Sequence, residues 1–126
     1  MNRIIAAALL IACITGAVQA ADATHVTTQA ELDAILAANE GTVLLDFHAS
    51  WCGPCKMLAK EIETVTTAHP DEVTVVKVDI DKAEALATAY KVSSIPHLVL
   101  FKGGKQTDSA VGYMKAPELT TWLGLK

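Results

Sequence analysis

The chain has 126 residues, the size of one domain, and 52% of them are hydrophobic, which is enough for a core and excludes a disordered chain. Its formal net charge is −4 at pH 7, from 10 Lys and Arg residues against 14 Asp and Glu residues. An acidic surface argues against nucleic acid or an anionic membrane as a partner.

The N-terminus has the pattern of a secretory signal peptide. A short charged segment ending at Arg3 precedes an apolar run to Ile14, which is too short to cross a membrane, and small residues then lead up to Ala20. We therefore predict a signal peptide over residues 1–20 and one mature domain over residues 21–126. The mature domain has 106 residues and a net charge of −5, because Arg3 is removed.

Cys13 leaves a second interpretation of this segment open. Leu10-Ile11-Ala12-Cys13 resembles the cleavage box of bacterial lipoproteins, in which the cysteine carries lipid. We favour ordinary cleavage, because the residues after Cys13 stay apolar up to a good cleavage site at Ala20. Ordinary cleavage leaves only Cys52 and Cys55, which suits an oxidising compartment, where a third thiol would invite wrong pairing.

Hydrophobic periodicity and turn signals predict nine elements in the order βαβαβαββα. They are a strand at His25–Thr27, a helix from the capping box Thr28–Glu31, a strand at 42–49, a helix from the cysteines to about His69, a strand at Val73–Asp79, a helix after an N-cap signal at Asp81–Glu84, strands at Leu98–Lys102 and Gln106–Val111 around Gly103-Gly104, and a last helix with Pro117 in its first turn. This order predicts an α/β domain, with a central mixed β-sheet and helices on both faces.

Cys52 and Cys55 are the strongest chemical signal in the chain. A spacer of two residues is shorter than in a disulfide built for stability, and it favours redox chemistry or metal binding. Cys52 lies where a strand gives way to a helix, among backbone N–H groups that favour a thiolate. Cys55 shares a helical stripe with the apolar Leu58 and Ile62. We therefore predict an exposed nucleophile, Cys52, and a shielded resolving thiol, Cys55, acting through a mixed disulfide.

The chain resembles the thioredoxin family from about residue 25 to its C-terminus. The similar features fall in family-like order: Val43-Leu44-Leu45-Asp46-Phe47, Trp51-Cys52-Gly53-Pro54-Cys55-Lys56, Lys77, Asp79, Asp81, Ile95-Pro96, Phe101-Lys102, Gly104 and Gly112. The resemblance implies the thioredoxin fold and a protein-disulfide reductase with a redox-active Cys52–Cys55 pair.

The resemblance also implies roles for residues outside the motif. Asp46 would lie buried beneath the cysteines, where burial raises its pKa and it helps to move the proton of Cys55. Lys77 would lie near Asp46, although strand alternation equally allows a solvent-facing lysine. The family carries a cis-proline facing the cysteines, which predicts a cis bond before Pro96 despite its low general frequency. Residues implied to bind the substrate strand are Trp51, Ile95, Pro96 and Gly112.

Three residues depart from the family pattern. His48 replaces a usual tryptophan, His97 a usual threonine after the proline, and Lys60 a usual helix-kinking proline. His48 either tunes the Cys52 thiolate through its imidazolium or has drifted at a tolerant position. Drift is favoured for His97. Lys60 predicts a straighter cysteine helix than the family usually has.

The function expected from these features is that of an exported, periplasmic reductant in electron transport to disulfide-containing client proteins. An exported reductant needs a source of electrons, so we also expect a membrane thiol-reducing donor. We expect a monomer with no cofactor, no metal and no nucleic-acid partner. Two alternatives stay open: a disulfide oxidase or isomerase of the same fold, and a metal-binding module whose ligand types are present at His48, Cys52, Cys55 and His97.

Overall fold

The computed structural model describes residues 23–126, so the predicted signal peptide and Cys13 lie outside the described residues. The elements in chain order are β1 (Thr24–His25), α1 (Gln29–Ala38), β2 (Thr42–His48), α2 (Gly53–Ala68), β3 (Val73–Asp79), α3 (Glu84–Ala89), β4 (His97–Lys102), β5 (Lys105–Val111) and α4 (Ala116–Trp122). This is the predicted order. Within residues 23–126, no helix combines the length and the hydrophobicity needed to span a membrane.

The five strands form one mixed sheet in the order β1-β3-β2-β4-β5. β1, β3 and β2 are parallel, whereas β4 runs antiparallel to β2 and β5 antiparallel to β4. The central strand is β2, in which Asp46 lies between Lys77 of β3 and Leu98 of β4. The C-terminal end of β2 therefore lies in the middle of the sheet, and the chain continues from there into α2.

Each face of the sheet carries its own hydrophobic core, because β2, β3 and β4 have apolar side chains on both sides. One core joins the sheet to α1 and α3; its members include Val26, Leu32, Val43, Leu45, Phe47, Val76, Val78, Leu86, Val99 and Phe101. The other joins the sheet to α2 and α4; its members include Leu44, Leu58, Ile62, Val65, Leu98, Leu100, Leu119 and Leu123. Since a fully buried leucine or phenylalanine contributes about 1.5–3 kcal/mol, these two layers account for much of the stability.

The start of α1 confirms only the N-cap half of the predicted capping box. The Glu31 carboxylate accepts from the Thr27 and Thr28 hydroxyls rather than from the Thr28 backbone N–H. The Thr28 hydroxyl accepts a hydrogen bond from the Glu31 backbone N–H at 3.2 Å and donates to the Glu31 carboxylate at 3.0 Å. The N-cap residue therefore satisfies one of the free N–H groups of the first turn.

The predicted N-cap of α3 at Asp81 is wrong. The helix begins at Glu84, and its N-cap, Ala83, makes no side-chain hydrogen bond. Asp79 organises this turn instead: its carboxylate accepts from the Asp81 N–H at 2.9 Å and its carbonyl from the Ala83 N–H at 3.0 Å. The carboxylate of Asp81 is occupied elsewhere, by Trp51.

Candidate active site

Cys52 and Cys55 form a disulfide at the N-terminus of α2, with their Cα atoms 5.3 Å apart. Cys52 is the N-cap residue, and its sulfur accepts a hydrogen bond from the Cys55 backbone N–H at 3.2 Å. Pro54 lies in the first turn, where its missing N–H costs nothing. The free N–H groups of this turn and the helix dipole favour negative charge on the Cys52 sulfur, so the geometry supports a reactive thiolate there.

The predicted difference in exposure between the two cysteines is wrong for this disulfide form. Cys52 is 4% exposed and Cys55 is 5% exposed. Both pack with Ala49, Ile80 and Ile95, and the Ile95 carbonyl oxygen lies 4.0 Å from the Cys52 sulfur. The segment before β4, which contains Ile95, covers the disulfide. The helical periodicity around the cysteines could not predict this cover. What distinguishes Cys52 is its N-cap position.

Asp46 is 1% exposed and lies on the face of the sheet that α2 covers. Burial raises its pKa from 3.8 to about 6, and Lys77 opposes this rise only in part. The Lys77 ammonium lies 3.8 Å from Oδ2 of Asp46, which decides against the solvent-facing alternative for this lysine. Oδ1 of Asp46 is buried and has no hydrogen-bond partner among the described residues. An acid with a pKa near neutrality can accept and release a proton at physiological pH.

The Ile95–Pro96 peptide bond is cis, as the resemblance implied. The Pro96 carbonyl accepts a hydrogen bond from the Gly112 N–H at 2.8 Å. Gly112 has φ of 103°, a conformation that side-chain-bearing residues rarely adopt. Pro96 and Gly112 are thereby held side by side at the end of the sheet next to the disulfide.

Exposed apolar side chains lie close in the chain to the cysteine motif and to Gly112, and they form the apolar surface of this region. Trp51 is 66% exposed, and its indole N–H donates to the Asp81 carboxylate at 2.8 Å. This bond holds the ring at the end of β2 through a residue 30 positions away, a contact that no local sequence pattern indicates. Three further exposed apolar side chains were not identified from the sequence: Met57, Val111 and Tyr113. Their positions beside the cysteine motif and Gly112 could have indicated them.

Glu61 of α2 ties this surface to the helix. Its carboxylate accepts hydrogen bonds from the Tyr113 hydroxyl at 2.6 Å and from the Ala116 N–H at 2.9 Å. The bond to Tyr113 is the main cause that lowers the pKa of Glu61, and it raises the pKa of Tyr113. Glu61 therefore fixes the segment after Gly112 against α2, a role that sequence spacing did not predict.

The two unusual histidines lie on opposite faces of the sheet. His97 packs against Phe47, with ring centroids 5.9 Å apart, on the α1 and α3 side. His48 occupies the α2 side and is half-buried. Burial, followed by the charge of Lys77, lowers the pKa of His48, and burial lowers that of His97. Thiolate tuning by His48 remains a prediction, confined to pH values low enough to protonate a ring with a lowered pKa.

This placement argues against the metal-binding alternative. His48 and His97 point to opposite sides of the sheet, so the four proposed ligands do not converge. Among residues 23–126, no group of three or more His, Cys, Asp or Glu side chains is placed to hold a metal ion.

Comparisons with known proteins agree with this geometry. The family model described as "Thioredoxin" matches residues 23–124. A thioredoxin of Mycoplasmoides gallisepticum is 42% identical over 95 residues, covering 75% of this chain and 93% of that protein. A thioredoxin of Chlamydia trachomatis is 53% identical over 72 residues, covering 57% of this chain and 70% of that protein.

Solved structures show the same fold. The crystal structure of chloroplastic thioredoxin z has a TM-score of 0.74 and 29% identity, covering 81% of this chain and 91% of that one. A mutant thioredoxin from Halobacterium salinarum has a TM-score of 0.71 and 41% identity, covering 79% and 86%. The chain therefore belongs to the thioredoxin family, and it is a thiol–disulfide oxidoreductase that reduces the disulfide bonds of protein clients through its Cys52–Cys55 pair.

Proposed function

We propose that this protein is exported to the periplasm and works there as a reductant. The observation that carries the proposal is the N-terminal sequence: a charged start, a short apolar run and small residues up to Ala20. The absence of any cysteine other than Cys52 and Cys55 after this segment supports it, because a spare thiol is a liability in an oxidising compartment.

The proposed cycle assigns a role to each group at the site. The Cys52 thiolate attacks a client disulfide, one client sulfur leaves as a thiolate, and a mixed disulfide forms. Cys55 then gives its proton to Asp46 and attacks the Cys52 sulfur, so that the second client sulfur leaves and the Cys52–Cys55 disulfide closes. Two electrons pass to the client.

The client strand lies on a surface formed by Trp51, Ile95, Pro96 and Gly112.

The electrons must be replaced from outside the periplasm, since that compartment has no reducing buffer. A membrane protein that passes reducing equivalents to thiols is the proposed donor. Clients of suitable chemistry are misoxidised proteins, oxidised lone cysteines and apocytochromes awaiting haem attachment.

The net direction of the reaction depends on the redox potential. Proteins of this fold span about 150 mV, or roughly 7 kcal/mol for two electrons, so an oxidase or isomerase would differ by a large and measurable amount. Gly53 and Pro54 resemble the dipeptide of reducing members. A potential near that of periplasmic oxidants, measured against glutathione, would reverse the proposed direction.

Export is tested by the mass of the processed protein. The full chain is expressed in a bacterial host, the periplasm is separated, and intact mass is measured. We expect a periplasmic chain that starts at Ala21. Ala20→Arg should block this cleavage, whereas Gln19→Arg adds the same charge one residue earlier and should still be processed.

Two outcomes would overturn the proposal in different ways. A lipid-modified chain that starts at Cys13, lost in Cys13→Ala, would show a membrane-anchored protein. An unprocessed chain in the cytosolic fraction would show that residues 1–20 do not direct export.

A further inference from the structure

Five polar side chains share the α2 face of the sheet near its active-site end. They are Asp46 and His48 of β2, Lys77 and Asp79 of β3, and His25 of β1. Side chains alternate along a strand, and the residues beside these five, Val26, Phe47, Val76 and Val78, belong to the opposite core. The same face carries the apolar core of Leu44, Leu98 and Leu100 elsewhere, so this polar group needs an explanation.

Two buried atoms in this group have no hydrogen-bond partner among the described residues: Oδ1 of Asp46 and Nε2 of His48. The two residues are neighbours on one strand face, about 6.6 Å apart along the strand. Buried polar atoms without partners are uncommon because they lose free energy on leaving water. Because each atom lacks a partner, the two do not bond each other directly, so a proton that passes between them crosses a bridging water.

Exposure increases stepwise from the acid to solvent. Asp46 is 1% exposed, His48 is half-buried and His25 is exposed. The rings of His48 and His25 lie 6.0 Å apart, edge to face. His48 is therefore intermediate in exposure between a buried carboxyl that must gain and lose a proton and an imidazole in contact with water.

We propose that His48 and His25 form a path that carries protons between the Asp46 carboxyl and solvent. The path rests on the proposed function, in which Asp46 accepts the proton of Cys55. Asp46 passes that proton through a bridging water to Nε2 of His48, and His48 releases one from Nδ1 towards His25 and solvent. The path runs in reverse when the disulfide is reduced again and Cys55 recovers its proton.

The other charged groups around His48 do not take this role. His48 faces Lys77, Asp79, Lys82 and His25. Lys77 is already an ammonium ion paired with Asp46, and the Asp79 carboxylate accepts a backbone N–H. Burial and Lys77 lower the pKa of His48, so its ring is neutral at neutral pH and Nε2 can accept a proton.

The resolving step can be timed with an aromatic disulfide reagent that releases a coloured thiolate. Fully reduced protein is mixed with the reagent near neutral pH in dilute buffer. The first thiolate reports attack by Cys52, and the second reports attack by Cys55 on the mixed disulfide. The variants are His48→Gln and Asp46→Asn. His69→Gln is the matched control, since it removes an imidazole at the far end of α2.

We expect His48→Gln to slow the second release by roughly tenfold and to leave the first unchanged. Added imidazole should restore the second release in His48→Gln, because it carries protons in place of the missing ring. Wild-type protein and His69→Gln should not respond to imidazole.

Three results would overturn the path. An unchanged second release in His48→Gln would show that His48 carries no proton. A slow second release that imidazole cannot restore would assign His48 a structural role. An unchanged second release in Asp46→Asn would refute the role of Asp46 in the proposed function itself, and the path with it.

Discussion

Lys77 and Asp46 lie directly opposite each other in the parallel pair of β2 and β3, and the Lys77 ammonium is 3.8 Å from Oδ2 of Asp46. Lys77 lowers the pKa of Asp46 less than burial raises it, so the pKa still reaches about 6. Removing a carboxylate from water costs more than one ion pair at this distance returns. Asp46 therefore reduces stability at neutral pH, which indicates that it serves chemistry rather than folding.

Asp46→Asn should stabilise the protein above pH 6. Between pH 3.8 and about 6 the folded protein holds a proton on Asp46 that the unfolded chain has lost. Stability therefore falls as pH rises through this window and stays low above it. The rise in pKa corresponds to roughly 3 kcal/mol. The free energy of unfolding of Asp46→Asn, relative to that of wild type, should therefore increase by about 3 kcal/mol between pH 3.5 and pH 8.

Urea unfolding at a series of pH values measures this difference. Glu63→Gln, at an exposed position on α2, is the control for loss of one negative charge and should show no comparable trend. A difference between Asp46→Asn and wild type that is constant across the pH range would contradict a raised pKa for Asp46.

The two cysteines should fail in different ways when replaced. Cys52→Ser should abolish disulfide reduction, because it removes the N-cap thiolate. Cys55→Ser should trap a mixed disulfide with the client, because attack survives and resolution does not. Non-reducing electrophoresis with a disulfide-containing protein client detects the trapped species. Normal turnover by Cys55→Ser would refute the assigned roles.

Glu61→Gln should lower the pKa of Tyr113. The Glu61 carboxylate accepts the Tyr113 hydroxyl proton in a hydrogen bond of 2.6 Å, which favours the neutral phenol. An amide in place of the carboxylate removes the charge and weakens this preference. Ultraviolet titration of phenolate absorbance follows the change, and Tyr113→Phe identifies which tyrosine is responsible. Identical titration curves for Glu61→Gln and wild type would show that the bond does not persist in solution.

The backbone N–H of Lys60 should be protected from hydrogen exchange. α2 runs without interruption from Gly53 to Ala68, and Lys60 supplies the N–H that a proline at this position would lack. Protection comparable to that of Leu58 and Ile62, measured by NMR, would agree with a straight helix. Rapid exchange confined to residues 58–61 would reveal a bend in spite of the lysine.

The α/β architecture and the reactive cysteine pair were predictable from sequence patterns. Element order, the N-cap at Thr28 and the strand-to-helix position of Cys52 depend on local periodicity and on short-range hydrogen bonds, which a sequence displays directly. The resemblance to thioredoxins added the cis bond before Pro96 and the burial of Asp46. Each of these features rests on residues close to one another in the chain or on a recognisable motif.

The tertiary structure brings distant segments together in ways that spacing along the chain does not predict. In the folded protein, the segment before β4 covers both cysteines, and Asp81 binds the Trp51 indole instead of capping a helix. Glu61 bonds Tyr113, which lies 52 positions away. His48 and His97 lie on opposite faces of the sheet, and His48 lies beside His25. Spacing along the chain carries no information on such contacts, because they depend on strand order and register, which are set when the two cores pack.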